Sequence, residues 1–125
     1  MKILVAEDSP INQRLMLSML SNLGHDADVV DNGEAACQAV QSHHYDLVLM
    51  DVQMPIMDGL AASRKINEEI PANKRPRIVA LTAEASAESQ HACRDAGMDD
   101  YLAKPIEREE LLDILDVSTV KKVNT

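Results

Sequence analysis

The sequence predicts an α/β fold: one parallel sheet of five strands with helices on both faces, a doubly wound three-layer sandwich. Three observations predict it. Short apolar runs recur along the chain, segments with helical spacing of apolar residues lie between them, and Gly or Pro marks several of the boundaries. Strands that alternate with helices form parallel sheets, because each crossover between parallel strands needs a helix. The 125 residues, 46% of them hydrophobic, fit a single domain with its own core.

Four short apolar runs predict strands that are buried on both faces, since a strand with one wet face would alternate between apolar and polar residues. These runs cover residues 3–6, 47–50, 78–81 and 101–103, and the last is the least apolar. Residues 27–30 form a fifth, more polar run, which is typical of a strand at the edge of a sheet.

Five segments have the apolar spacing of amphipathic helices. The first begins at Ser9-Pro10, a favourable helix start, and ends at Gly24, a favourable helix end. Pro71 stops the third segment, and Gly97 ends the fourth. The expected helices span residues 10–23, 34–42, 58–69, 86–96 and 107–117.

One domain over residues 1–117 accounts for this pattern, and residues 118–125 are either a tail or the cut end of the last helix. The apolar runs are far shorter than the roughly 20 residues that span a membrane, and the N-terminus lacks a signal-peptide core. Two cysteines, Cys37 and Cys93, cannot build a disulfide scaffold. The sequence therefore predicts a cytoplasmic protein.

The charge balance narrows the classes of partner. Twelve Lys and Arg against 21 Asp and Glu give a formal net charge of −9. A surface of this sign repels nucleic-acid phosphates and anionic lipids. With no Phe or Trp and only two Tyr, the chain is also poorly equipped to stack on bases. A basic partner surface or a cation-binding site is favoured instead.

Polar residues follow the predicted strands at their carboxyl ends, where ligands bind in open parallel sheets. Glu7 and Asp8 follow the first strand, Asp51 the third, Thr82 the fourth and Lys104 the fifth. Clustered carboxylates repel one another, and a divalent cation relieves that repulsion. Oxygen ligands without paired His or Cys favour Mg²⁺, which commonly joins carboxylates to phosphate oxygens. A phosphoryl group is then the natural second ligand, with Lys104 and Thr82 holding its remaining oxygens.

Each of these residues also has a purely structural interpretation. Asp8 alone is equally well explained as a helix cap, a single Thr after a strand is more often structural, and a Lys-Pro pair is usually a loop. Asp51 is harder to explain in this way, because no helix starts directly after it. The functional interpretation depends on the joint placement of all of them at one edge.

Four motifs in the order of the chain resemble the receiver domains of response regulators in two-component signalling. They are ILVAED at residues 3–8, LVLMDVQMP at 47–55 with MDG at 57–59, IVALTA at 78–83, and GMDDYLAKP at 97–105. The resemblance implies a flavodoxin-like fold with strand order 2-1-3-4-5. The sequences at residues 7–13 and 97–101 are similar to receivers of hybrid sensor histidine kinases, although a free-standing regulator could carry the same sequences. A receiver of the first kind would be tethered to the inner membrane through its parent kinase.

By this resemblance, Asp51 is the residue that accepts a phosphoryl group from a histidine of a kinase or phosphotransfer domain. Asp8, Asp51 and the backbone carbonyl of Gln53 would bind Mg²⁺ or Mn²⁺, and Glu7 would act through a water molecule. Lys104 would pair with Asp51 before transfer and with the phosphoryl oxygens afterwards. The Lys104–Pro105 bond is expected to be cis.

The resemblance also implies a conformational switch and residues that set the lifetime of the phosphoryl group. Thr82 would hydrogen-bond the phosphoryl group and Tyr101 would turn inward, changing the surface of the fourth helix, fifth strand and fifth helix for a downstream protein partner. Gln53 and Glu84, each two residues after a site residue, would set the phosphoryl lifetime. Such a domain is a phosphoacceptor and not an enzyme in its own right, with self-dephosphorylation at most.

Two rival functions remain. A Mg²⁺-dependent phosphatase of the haloacid-dehalogenase type also uses an Asp nucleophile at a strand end, but it needs a second Asp where this chain has Gln53. A receiver that acts through binding alone would not need the chemical residues, all of which are present here.

Overall fold

The computed structural model describes the backbone of residues 1–84 and 86–123, with side chains through residue 116 apart from residue 85. Its strands are β1 (Ile3–Ala6), β2 (Ala27–Val30), β3 (Leu47–Asp51), β4 (Arg77–Thr82) and β5 (Asp100–Ala103). They pair in parallel in the order β2-β1-β3-β4-β5. The predicted strand order is therefore confirmed, and the predicted strand limits agree to within a residue at each end.

The helices are α1 (Pro10–Asn22), α2 (Gly33–Ser42), α3 (Gly59–Glu69), α4 (Ala87–Asp95) and α5 (Arg108–Val123), with a short 3₁₀ turn at Ala72–Lys74. Ser9, Asn32, Asp58 and Ser86 each cap a helix, because their side-chain oxygens accept a backbone N–H of the first turn. Among the described residues, no helix has both the length and the apolar character needed to cross a membrane.

Helix α5 is longer than the sequence pattern predicted. It continues through residue 123, whereas the expected end lay near residue 117. Residues 118–123 contain neither Gly nor Pro to stop a helix. The backbone thus favours a continuing helix over a tail as far as Val123, and residues 124–125 lie outside the described part.

Alternate residues of each central strand point to opposite faces of the sheet, which builds two cores. On one face α2, α3 and α4 cover buried strand residues, namely Leu4, Ala6, Val48, Met50, Ile78 and Ala80. On the other face α1 and α5 cover Ile3, Val5, Leu47, Leu49, Val79 and Leu81. Burial on both faces explains why these strands are apolar at every position.

Helix α1 buries only part of its apolar residues. Met16 and Leu20 are buried, but Ile11 is 78% exposed and Leu15 is 50% exposed. The apolar face of α1 is therefore wider than the part of the helix that packs against the sheet. The exposed part lies in the first half of α1, beside the carboxyl edge of the sheet.

Candidate functional site

The carboxyl ends of the strands bring the predicted polar residues into one cleft of about 630 Å³. Glu7 and Asp8 follow β1, Asp51 is the last residue of β3, and Thr82 is the last residue of β4. Carboxylate oxygens of Glu7, Asp8 and Asp51 lie within 4.8 Å of one another. The parallel register places Asp51 beside Leu81, so the ends of the central strands meet at the same level.

Lys104 joins this group from the loop after β5. Its Nζ atom lies 3.0 Å from Oδ2 of Asp51 and 3.6 Å from Oε1 of Glu7. The backbone N–H of Lys104 donates to the carbonyl of Thr82 at 2.7 Å, which fixes the loop against β4. The Lys104–Pro105 peptide bond is cis. One ammonium group is thus held against two carboxylates.

Asp51 is buried and held by its own loop. Its side chain is 7% exposed, and its Oδ1 atom accepts the backbone N–H of Gln53 at 3.1 Å. The following residue, Val52, donates to the carbonyl of Leu81 and accepts from the N–H of Gly59. Asp51 caps no helix, because the cap of α3 is Asp58. Its carboxylate therefore faces the cleft with one oxygen on Lys104.

Asp8 has no capping role either. The N-cap of α1 is Ser9, whose Oγ atom accepts the N–H of Asn12. The side chain of Asp8 is exposed at the mouth of the cleft, whereas Glu7 is only 1% exposed. This removes the structural explanation that the sequence left open for Asp8.

Glu7 is the residue whose acidity the site changes most. The pKa of Glu7 is raised from 4.5 to about 7, first because the residue is buried and also because Asp51 lies beside it, while Asn12 and Lys104 lower the pKa. Within the described part of the chain, neither carboxylate oxygen of Glu7 accepts a hydrogen bond. Buried acceptors without donors are costly, so these oxygens are suited to a cation or to water.

The raised pKa of Glu7 predicts a pH-dependent loss of stability without metal. Between pH 4.5 and about 7 the folded state holds a proton on Glu7 that the unfolded chain has released. Stability therefore falls as the pH rises through this window. We expect wild type to lose on the order of 2–3 kcal/mol between pH 5 and 8, relative to Glu7→Gln. Urea unfolding of both proteins in EDTA measures this, and parallel pH profiles would contradict it.

The oxygen donors present fit a hard divalent cation. Three carboxylates share a cleft with the Gln53 loop, and one of them, Glu7, has two buried oxygens that accept no hydrogen bond from the described residues. Mg²⁺ binds such oxygen sets and keeps several waters. Asp8, Asp51 and Gln53 would hold the ion, and it would supply positive charge beside Asp51.

Thr82 is buried, and its hydroxyl is engaged in a local turn. The hydroxyl donates to the carbonyl of Glu84 at 2.8 Å and accepts the N–H of Glu84 at 3.1 Å. Gln53 and the Glu84 side chain are exposed at the cleft. Tyr101 is half-buried on β5 and borders a separate cavity of about 60 Å³ near α4. Of the predicted site residues, Tyr101 and Pro105 lie outside the cleft lining.

Some cleft residues were missed by reasoning from strand ends. Asn12 and Ser89 line the cleft from the first turns of α1 and α4. A helix that starts directly after a strand has its first turn at the strand's carboxyl end, so Asn12, five positions after Glu7, carried a usable signal.

Comparisons with known proteins agree with this geometry. The family model described as response regulator receiver domain matches residues 3–116. The sensor histidine kinase GacS of Pseudomonas protegens is 42% identical over 116 residues, covering 91% of this chain and 13% of GacS. Hybrid signal transduction histidine kinase K of Dictyostelium discoideum is 36% identical over 127 residues, covering 97% of this chain and 10% of that kinase. The chain thus spans a small part of these relatives.

A solved structure gives the same result. The receiver domain of sensor histidine kinase PA1611 from Pseudomonas aeruginosa PAO1 has a TM-score of 0.83 and 40% identity, over 91% of this chain and 93% of that one. That domain was crystallised with a magnesium ion coordinated in its active-site cleft. With the strand order, the acidic cleft and a family match over most of its length, the chain belongs to the response regulator receiver domains, and its relatives include receivers of hybrid sensor histidine kinases.

Proposed function

We propose that this receiver accepts a phosphoryl group on Asp51 from a phosphohistidine. The observation that carries the proposal is the 3.0 Å contact between Lys104 Nζ and Asp51 Oδ2 inside a cluster of three carboxylates. A carboxylate is a usable nucleophile when it is positioned and the negative charge around it is offset. Asp51 meets both conditions, because the backbone N–H of Gln53 positions its Oδ1 atom and the Lys104 ammonium offsets the negative charge at its Oδ2 atom.

The proposed phosphoryl transfer forms one bond and breaks one bond. An oxygen of Asp51 forms a bond to phosphorus as the bond from phosphorus to the donor's imidazole nitrogen breaks. The electron pair of that bond goes to the imidazole, which then takes up a proton from solvent. Lys104 moves its contact from Asp51 to the phosphoryl oxygens, so the positive charge stays beside the group that carries the new negative charge.

The metal-binding part of the proposal uses oxygen atoms alone. Asp8, Asp51 and the backbone carbonyl of Gln53 hold Mg²⁺ or Mn²⁺, and Glu7 acts through a water molecule. The buried oxygens of Glu7, which accept no hydrogen bond from the described residues, support this assignment. A magnesium ion in the cleft of the PA1611 receiver domain supports it as well.

The switching part of the proposal begins at Thr82. To reach a phosphoryl group on Asp51, the Thr82 hydroxyl leaves its two hydrogen bonds with the Glu84 backbone. The half-buried Tyr101, with a cavity of about 60 Å³ at its side, then turns inward. The surface formed by α4, β5 and α5 changes with it and controls a downstream protein partner.

The donor in this proposal is a histidine kinase or a histidine phosphotransfer domain. The exposed apolar residues Ile11 and Leu15 on α1, next to the cleft, support docking of such a partner. The kinases among the relatives support an origin of this domain in a hybrid kinase. Its location would then be the cytoplasm, tethered to the inner membrane through that kinase.

Intact mass spectrometry after incubation with a small phosphodonor tests the function. Wild type with Mg²⁺ is expected to gain one phosphoryl group. Wild type in EDTA and Asp51→Asn with Mg²⁺ are expected to gain none. Asp58→Asn is a matched control, because Asp58 is an exposed acid that caps α3 outside the cleft lining.

If the small phosphodonor adds no phosphoryl group, the phosphoryl analogue beryllofluoride distinguishes the possible causes. If the small phosphodonor fails but beryllofluoride with Mg²⁺ perturbs the cleft resonances, the domain is a phosphoacceptor that requires its kinase. If neither has an effect, phosphotransfer is wrong and the domain acts through protein contact alone, which is the alternative function.

The two exposed side chains at the cleft, Gln53 and Glu84, predict control of phosphoryl lifetime. Both line the opening through which a water molecule must approach Asp51. We expect Gln53→Ala and Glu84→Ala to change the dephosphorylation rate by more than they change the phosphorylation yield. Decay of the phosphorylated mass after removal of the donor measures this, and equal decay in all three proteins would refute it.

A further inference from the structure

The loop between β3 and α3 is fastened at its far end to another helix. The backbone N–H of Gly33, the first residue of α2, donates to the carbonyl of Met57 at 2.9 Å. The near end is fixed separately, since Gly59 N–H donates to the carbonyl of Val52 at 3.0 Å. The segment between these contacts contains Gln53, Met54 and Pro55, which line the cleft.

The contact requires glycine at position 33. A Cβ atom there would lie 2.4 Å from the carbonyl oxygen of Met57 and 2.9 Å from that of Asp58. Both neighbours are backbone atoms, so the loop would have to move to admit a side chain. Gly33 is buried, and the Asn32 side chain caps the same helix end through the N–H of Ala35 at 2.8 Å.

The loop segment that Gly33 holds is itself strained. Ile56 has a φ of +68°, a conformation that β-branched residues rarely adopt, and its side chain is 77% exposed. The N–H of Met57 donates to the carbonyl of Pro55 at 2.7 Å, which closes a tight turn around Ile56. A strained turn persists only where its surroundings impose it, and the Gly33 contact lies directly after this turn.

We propose that Gly33 is a positioning residue for the phosphoacceptor site. It acts through the Met57 carbonyl on the strained turn at Ile56, and thereby sets where the Gln53 carbonyl faces the cleft. The proposal rests on the proposed function for the role of Gln53 as a metal ligand. Neither Gly33 nor Met57 lines the cleft, so the effect passes through the backbone of the loop.

Gly33→Ala tests this against Gly24→Ala. Gly24 has a φ of +88° and open space at its Cβ, so alanine there strains the backbone without touching the loop. For Gly33→Ala we expect Mg²⁺ affinity and the rate of Asp51 phosphorylation to fall by about 10-fold or more. Gly24→Ala is expected to keep both values within a factor of about two of wild type, although its stability falls.

Hydrogen exchange of the peptide covering residues 52–59 gives a readout that does not depend on phosphorylation. Faster exchange there in Gly33→Ala, but not in Gly24→Ala, supports the positioning role even if the proposed function fails. If Gly33→Ala does not fold, Asn32→Ala replaces it, because this change removes the cap of the same helix end without introducing a clash. We expect Asn32→Ala to change Mg²⁺ affinity, phosphorylation rate and hydrogen exchange in the same direction, by smaller factors. The proposal is overturned if the variant at position 33, or at position 32 in its place, has the same Mg²⁺ affinity, phosphorylation rate and hydrogen exchange as Gly24→Ala.

Discussion

Replacing Lys104 by methionine is expected to slow phosphorylation of Asp51 by about 10²–10³-fold, the usual cost of losing one group that stabilises developing charge. The Lys104 ammonium lies 3.0 Å from Asp51, where it can follow the negative charge onto the phosphoryl oxygens. Methionine keeps most of the apolar stem, so packing changes little. A time course of the phosphorylated mass at saturating Mg²⁺ measures the rate.

The same variant should bind Mg²⁺ more tightly, which makes this prediction specific. Removing one positive charge leaves Glu7, Asp8 and Asp51 with a formal charge of −3 instead of −2. The attraction for a cation then increases. Lys74→Met is the matched control, because Lys74 is exposed in the 3₁₀ turn before β4. If Lys104→Met lowers both the rate and the Mg²⁺ affinity, the assigned role of Lys104 is wrong.

Gly59→Ala is expected to cause the largest loss of stability among the single substitutions considered. A Cβ atom at this position would lie 2.2 Å from the carbonyl oxygen of Asp51 and 2.9 Å from its carbonyl carbon. Either α3 or the end of β3 must move, and because the clash is with backbone atoms we expect a cost at the upper end of the usual range for overpacking, about 3 kcal/mol. The midpoint of thermal unfolding should fall by about 10 °C or more.

Gly24→Ala again provides the comparison for this stability prediction. Its backbone strain should cost about 1 kcal/mol, since its Cβ meets no atom within 4 Å. Urea unfolding in EDTA compares both variants without any contribution from bound metal. Equal losses in the two variants would mean that β3 and α3 can separate at little cost, and would contradict the close packing at Asp51.

Sequence patterns predicted the strands and most helix limits because each limit has a local chemical cause. Residues such as Leu47 and Ile78 lie in runs that are apolar at every position, which is what burial on both faces requires. Ser9 and Asp58 begin helices through bonds to their own first turns. The end of α5 was left open between a tail and a continuing helix, and the backbone continues as helix through Val123.

Burial of individual side chains was less predictable than element type. Ile11 and Leu15 have core-like spacing yet remain exposed, because the sheet covers a narrower arc of α1 than the apolar residues occupy. Glu7 is charged in most settings yet is almost fully buried here, with a pKa raised to about 7. Neither outcome is visible in local spacing, since both depend on which elements pack alongside.

The sequence by itself determined the chemical groups of this receiver and the edge of the sheet at which they gather. It did so because parallel strands all end at one edge, so the residues after each strand meet there. The resemblance implied that Lys104 pairs with Asp51, and the structure gives that contact its distance of 3.0 Å across 53 residues of chain. Only the tertiary structure decided that Lys104 also lies 3.6 Å from Glu7 and that Gly33 of α2 contacts the loop after Asp51. Those contacts depend on strand order and on distances of a few ångströms between elements, which no local pattern of residues encodes.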